Sequence, residues 1–194
     1  MNNYITHQIS EAQCVMSAML ADKDLLTTVE AAAVACIQCL KNEGKILLAG
    51  NGGSAADAQH IACEFISRFA FDRPGLPAIA LTTDSSILTS IGNDYGFERL
   101  FSRQVQTLGR KGDIFIGYST SGKSVNILNA FKEANAQGMI CIGLTGNSGG
   151  PMANLCDYLL VIPSYDTPKI QEAHLVLGHI ICGLVENALF KATS

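Results

Sequence analysis

The sequence has little charge: Asp, Glu, Lys and Arg make up 15% of its 194 residues, against 48% hydrophobic ones. So sparing a surface leaves apolar area for other copies of the chain to cover. Basic residues are not in excess either, the formal net charge being −4. Non-specific nucleic-acid binding, which needs a dense basic face, is excluded on that ground. A small anionic substrate is not excluded, because local donors rather than net charge would hold it. The opening stretch, MNNYITHQISEAQ, lacks the basic region and apolar run of a secretory signal, and no apolar stretch approaches the length of a membrane span. The seven cysteines are odd in number and lack the spacing of a secreted disulfide scaffold, so a reducing cytoplasm is expected. Cys36 and Cys39 form a C-x-x-C inside a helical pattern, which reads as buried helix rather than a redox pair. Internal repeats, low-complexity tracts and linkers are also missing, so residues 1–194 read as a single domain.

What is there is a regular alternation. Amphipathic helices over about 3–21 and 25–42 open the chain, the second stopping at Gly44. Apolar runs at 45–49, 76–81, 113–117, 139–144 and 157–162 read as strands. Helices are expected from Ser54 to about Phe69, over 84–91, 98–109 and 123–137, and from Pro168 onward. Gly92-Asn93-Asp94 separates two of them, and a glycine-rich loop covers 146–150. Continuously apolar strands, each followed by a helix, indicate a parallel sheet covered on both faces. The expected fold is α/β: a doubly wound, five-stranded parallel sheet of flavodoxin-like type with N-terminal helices.

In such a sheet the loops leaving the strand ends converge, and ligands bind there. Two of these loops are rich in glycine and hydroxyls. Ser119, Thr120, Ser121 and Ser124 can add hydroxyl donors to the unpaired N–H groups of the helix that follows, and Gly122 permits close backbone approach. A cap needs one hydroxyl. Three in a row favour a phosphate. Asn51-Gly52-Gly53-Ser54 is likewise too glycine-rich for a plain connection, although Ser54 also suits an N-cap; its backbone N–H groups would line the sugar end of the same cleft.

Gly117 to Ser124 also matches the nucleotide-binding pattern G-x-x-x-x-G-K-[ST], with Lys123 in the lysine position. Against an NTPase, the pattern follows the third strand and the only acidic candidate for a magnesium site, Asp84, stands behind two threonines.

His60 and Glu64 lie four apart on one helix face, within reach of one ion. Two more histidines, His174 and His179, fall in the last, largely apolar helix; His174 reads as a core or interface histidine. The runs Gly50-Asn51-Gly52-Gly53-Ser54, Arg73-Pro74-Gly75-x-Pro77-Ala78, Gly92-Asn93-Asp94-x-Gly96, Ser119-Thr120-Ser121-Gly122-x-Ser124 and Ile170-Gln171-Glu172-x-His174 stand in one order along most of the chain. In these the sequence resembles the phosphoheptose isomerases of the sugar-isomerase (SIS) fold, whose phosphate loop does not require a lysine at position 123.

The resemblance implies one zinc ion per subunit, bound by His60, Glu64, Gln171 and His179. It implies that Ser119, Thr120, Ser121 and Ser124 hold the substrate phosphate, while Asn51, Gly52, Gly53, Asn93 and Asp94 contact the sugar. It further implies interconversion of sedoheptulose 7-phosphate and D-glycero-D-manno-heptose 7-phosphate, for bacterial surface polysaccharide, by a homotetramer. Gln171 and His179 are eight residues apart, about 12 Å along an ideal helix. Reaching one ion therefore needs a distorted helix or ligands from different chains, and an active site between subunits is expected.

Aldose–ketose isomerisation through an enediol needs a base near two adjacent carbons and a group that handles the proton on oxygen. Glu64 suits the first and His179 the second. The rival from another class is a replication-initiator-associating protein of the same fold; such relatives keep the loops but depart at the acid and histidine positions, which are intact here.

Overall fold

The computed structural model describes residues 2–147 and 149–191, so the first residue, position 148 of the glycine-rich loop and the last three residues lie outside the description. Five strands, β1 (Ile46–Ala49), β2 (Ala78–Ala80), β3 (Ile114–Ser119), β4 (Ile140–Gly146) and β5 (Tyr158–Ile162), form one parallel sheet in the order β2-β1-β3-β4-β5. Adjacent residues on a strand face opposite sides of the sheet, and β1 shows what that demands: Ile46 and Leu48 enter one apolar core, Leu47 and Ala49 the other. Both faces must be covered, hence the unbroken apolar strands.

Helices α1 (Asn2–Ala21), α2 (Lys23–Lys41), α3 (Gly53–Ile66) and α7 (Thr167–Phe190) build the first core; α4 (Ser85–Tyr95), α5 (Ser102–Leu108) and α6 (Val125–Ala136) build the second. Burial pushes the Cys39 thiol up to about 11 and Cys36 further still, as expected of core cysteines. By length and composition α7 could cross a bilayer, which the apolar runs alone did not suggest. It packs instead against α2 and α3, with Leu177, Ile181 and Val185 buried.

Several boundaries differ from expectation for identifiable reasons. Gly92, Asn93 and Asp94 lie inside α4, because Asp84 caps it (Oδ1 accepts from Ile87 N at 2.9 Å) and the helix runs on to Gly96 at φ 86°. The region after it is split into a 3₁₀ turn, Phe97–Arg99, and the short α5. Ser54 is not the N-cap of α3; Gly52, at φ 57°, takes that place and Ser54 is buried as the helix's second residue. At the end of α2 it is Glu43 that turns left-handed (φ 61°), while Gly44 makes room for Cys39 Sγ, which a Cβ there would meet at 2.6 Å.

Candidate active site

The strand order reverses between β1 and β3, and the loops that follow these two strands flank the opening. Beyond β3 the chain turns through Ser119–Ser124 into α6. Ser119 is buried, and its Oγ lies 3.0 Å from Ser124 Oγ and accepts from Ser124 N at 3.4 Å, so the two hydroxyls hold the turn closed. Gly122 adopts φ 65°, and a Cβ there would stand 2.3 Å from the carbonyl oxygen of Gly149; only glycine fits. Ser124 is the N-cap of α6 but makes no side-chain capping bond, which leaves the first N–H groups of a twelve-residue helix open to an anion. Thr120 and Ser121 line a cavity of about 310 Å³ beside it.

Its far wall consists of Asn147, Ser164 and Tyr165, from the loops after β4 and β5, and of Thr167 and Ile170 in the first turn of α7. Sequence reasoning missed these residues, since only the sheet's topology brings those segments to the turn after β3. Lys123 lines the cavity as well. The nucleotide-loop pattern itself dissolves: Gly117 lies within β3, where a Cβ would meet the Phe131 ring at 2.5 Å, and β3 runs on to Ser119. Four residues are left between the strand end and Ser124, too few to wrap a triphosphate.

The second cluster stands where α3 and α7 run side by side. Gly178 allows this approach; a Cβ there would lie 2.5 Å from Ile61 Cδ1. One residue from each of that pair, His60 and His179 bring their Nε2 atoms to 2.9 Å, close enough to share a proton. Glu64 Oε1 is 3.2 Å from the same His60 nitrogen. The three donor atoms all lie within 4.8 Å of one another, the spread one first-row divalent ion with bonds of about 2.0–2.2 Å would draw together. Donor chemistry and spacing therefore fit a metal, with zinc one of several divalent ions such a set accepts. Asp57, on the turn before His60, has a buried Oδ2 without a hydrogen-bond partner among the described residues, and burial pushes its carboxyl up to about 6, with His60 pulling it partly back.

Gln171 is elsewhere. Its amide packs over Gly53 at the start of α3, where a Cβ would meet Nε2 at 2.6 Å, about two turns from His60. The continuous α7 thus separates Gln171 from His179 as its length requires. Asn51 is bonded to Asn126 across the opening (2.8 and 2.9 Å), and Gly52 and Gly53 form the exposed first turn of α3. Asn93 and Asp94 are exposed on the last turn of α4, bonded to each other at 2.8 Å, with no hydrogen bond to either loop among the described residues. His174 is buried as expected, and among the described residues neither ring nitrogen makes a well-formed hydrogen bond, the Thr145 carbonyl being only nearby.

A 2-1-3-4-5 parallel sheet, with an open helix N-terminus at its switch point and a His–Glu–His cluster between α3 and α7, is the architecture of the SIS class. Residues 9–146 match the SIS-domain family model, and the chain belongs to that family. Within it, the relatives are consistent. A phosphoheptose isomerase of Burkholderia pseudomallei (strain 1710b) is 73% identical over 187 residues, covering 96% of this chain and 95% of that one. Two solved phosphoheptose isomerases superpose over nearly their whole length. The one from Neisseria gonorrhoeae has TM-score 0.89 at 44% identity, covering 96% of this chain and 98% of its own. The one from Francisella tularensis has TM-score 0.91 at 38% identity, covering 95% and 97%. The chain is a member of the phosphoheptose isomerases, a class of aldose–ketose isomerase. Neither the NTPase reading nor the non-catalytic initiator-binding reading survives that membership.

Proposed function

We propose that the chain converts sedoheptulose 7-phosphate to D-glycero-D-manno-heptose 7-phosphate in heptose synthesis in the bacterial cytoplasm, with Glu64 and His179 moving the protons. The observation that carries this reading is the meeting of His60, Glu64 and His179 in a chain of the phosphoheptose isomerase family. The phosphate rests on the N-terminus of α6 among Ser119, Thr120, Ser121 and Ser124. Asn51, Gly52 and Gly53 line the sugar chain, and Asn93 and Asp94 reach its outer hydroxyls.

Glu64 removes a proton from the carbon beside the carbonyl and returns it to the neighbouring carbon. His179 protonates the carbonyl oxygen as the enediol forms, and takes a proton from the adjacent hydroxyl as it collapses. His60, within bonding distance of both, fixes their orientation. Zinc or another divalent ion held by His60, Glu64 and His179 would supply positive charge that polarises the sugar oxygens.

Gln171 would complete that set only from another chain, because within this one it sits by Gly53. The reading is therefore of a homotetramer with one zinc per subunit and sites at subunit interfaces. Exposed apolar residues support association: Tyr4, Ile5, Ile9 and Leu20 on α1, and Val176, Ile180 and Leu184 at four-residue steps on α7. Full activity in a strictly monomeric sample would contradict the interface site.

Glu64→Gln tests the chemistry. Turnover should disappear while the affinity for inorganic phosphate stays within about threefold; turnover at the wild-type rate would rule out the base.

A further inference from the structure

Lys123 keeps the lysine position of the nucleotide-loop pattern although the loop itself is absent, and the proton transfers leave it without a task. The turn that carries it is firmly held. Ser121 Oγ accepts from Lys123 N at 3.2 Å, which leaves the Ser121 proton to donate outward. From behind, Gly150 packs so close that a Cβ on it would stand 2.9 Å from the Gly122 carbonyl oxygen and 3.0 Å from that of Ser121. Lys123 itself is exposed, and its ammonium has no hydrogen bond or ion pair among the described residues. It lines the cavity of about 310 Å³ together with hydroxyls from Thr120, Ser121, Ser164, Tyr165 and Thr167. No acidic side chain is in that lining; Asp166, next to Thr167 in the chain, is the N-cap of α7 and stays outside it. In a chain of net charge −4, this wall therefore carries a positive charge and no negative one. On the buried side of the turn, Thr145 Oγ1 lies 3.1 Å from where a Cβ on Gly122 would stand, and it too has no partner among the described residues. Polar groups left unspent on both sides of a fixed turn point to a polar, negatively charged ligand.

We propose that Lys123 binds the phosphate of the substrate, its ammonium supplying the full positive charge that the neutral donors of the turn lack. The inference rests on the reading above that the turn from Ser119 to Ser124 seats that phosphate. Hydroxyls and backbone N–H groups aim hydrogen bonds at an anion, but they carry only partial charge. A phosphate monoester carries about −1.5 to −2 charges at neutral pH. A lysine ammonium is a compact point charge with three rotatable donors, so it can meet such a group without a fixed geometry. It then favours a doubly charged phosphate ester over a singly charged or neutral sugar. Lys123 touches the phosphate and no reacting carbon in this account, so it acts on affinity rather than on the chemical step. Because the side chain is exposed, salt screens its pull.

The test compares wild type, Lys123→Met, Lys123→Arg and Lys123→Glu by calorimetric titration with inorganic phosphate and by initial rates on sedoheptulose 7-phosphate. Both are run at about 50 and about 300 mM salt, with melting temperatures taken alongside. At the lower salt Lys123→Met should weaken phosphate binding about five- to tenfold and raise KM by a similar factor, while kcat moves by less than about twofold. Lys123→Glu should lose more than Lys123→Met, and Lys123→Arg should stay within about threefold of wild type. Raising the salt should narrow the gap between wild type and Lys123→Met. Phosphate affinity in Lys123→Met within about twofold of wild type at the lower salt would overturn the inference. A fall in kcat with KM and phosphate affinity unchanged would do the same. Wild type that fails to bind inorganic phosphate at millimolar concentration would overturn the phosphate-turn reading together with this inference. Phosphate binding that every substitution leaves unchanged overturns this inference alone.

Discussion

The guanidinium of Arg73 donates from Nη2 to the backbone oxygen of Glu64 at 2.8 Å, and from Nε to Glu186 Oε1 at 3.1 Å. It also donates to the carbonyls of Phe65 and Ser67, and so closes the C-terminus of the helix on which Glu64 rides. Glu186 lies on α7, four residues beyond Cys182, and accepts from the N–H groups of Phe69 and Ala70 (2.9 and 2.7 Å). Burial opposes the charged form of Glu186, but those two bonds and the guanidinium outweigh it and hold the carboxyl below its usual range. The two helices bearing the candidate catalytic groups are locked together by one buried pair, its side chains 2% and 1% exposed.

Glu186→Ala should therefore cost about 3–5 kcal/mol, the typical penalty for stranding one member of a buried pair. A native domain has only about 5–15 kcal/mol in hand. Urea unfolding at neutral pH measures the loss, and a change below about 1 kcal/mol would show that the pair is not the anchor described here.

Gly178→Ala should push α3 away from α7, because the added Cβ meets Ile61 Cδ1 at 2.5 Å. His60 and His179 would separate with it, and kcat should fall roughly tenfold. Trimming the obstacle with Ile61→Val in the same chain should restore much of the rate. If Ile61→Val restores nothing, contact between these two side chains is not what sets the distance.

How much of this was legible in advance differs between fold and site. The strands were, since burial on both sheet faces forces continuous apolar runs such as Ile46–Ala49. So was the tight turn between β3 and α6, because a run of hydroxyls with a left-handed glycine after a strand fits little else. The Arg73–Glu186 anchor and the Asn51–Asn126 pair were not: each bridges more than seventy positions, and no local pattern reports a partner that distant. Asn93 and Asp94 misled in another way. A Gly-Asn-Asp run has the composition of a turn, but the N-cap at Asp84 carries α4 through it.

His174 makes stability depend on acid. Burial lowers its imidazole to about 4, the nearby carbonyl of Thr145 offsetting only part of the effect. The unfolded chain binds a proton near pH 6.5 and the folded chain does not, so this contribution is complete above pH 6.5 and is lost as pH falls toward 4. The full loss is about 3 kcal/mol. Asp57 works in the opposite sense: its raised carboxyl favours the folded state below about pH 4 and ceases to as pH rises through 6. His174→Asn should flatten the urea midpoint between pH 7.5 and pH 5 relative to wild type; an unchanged slope would exclude a buried neutral imidazole.

The most direct test of the central claim is the rate at which purified protein isomerises sedoheptulose 7-phosphate before chelation, after chelation, and after zinc is restored. An isomerase whose centre is His60, Glu64 and His179 should turn the sugar over, lose at least about tenfold of its rate on chelation, and recover it with zinc. A rate indifferent to the removal of metal would contradict the metal centre, and no turnover with metal restored would contradict the isomerase itself.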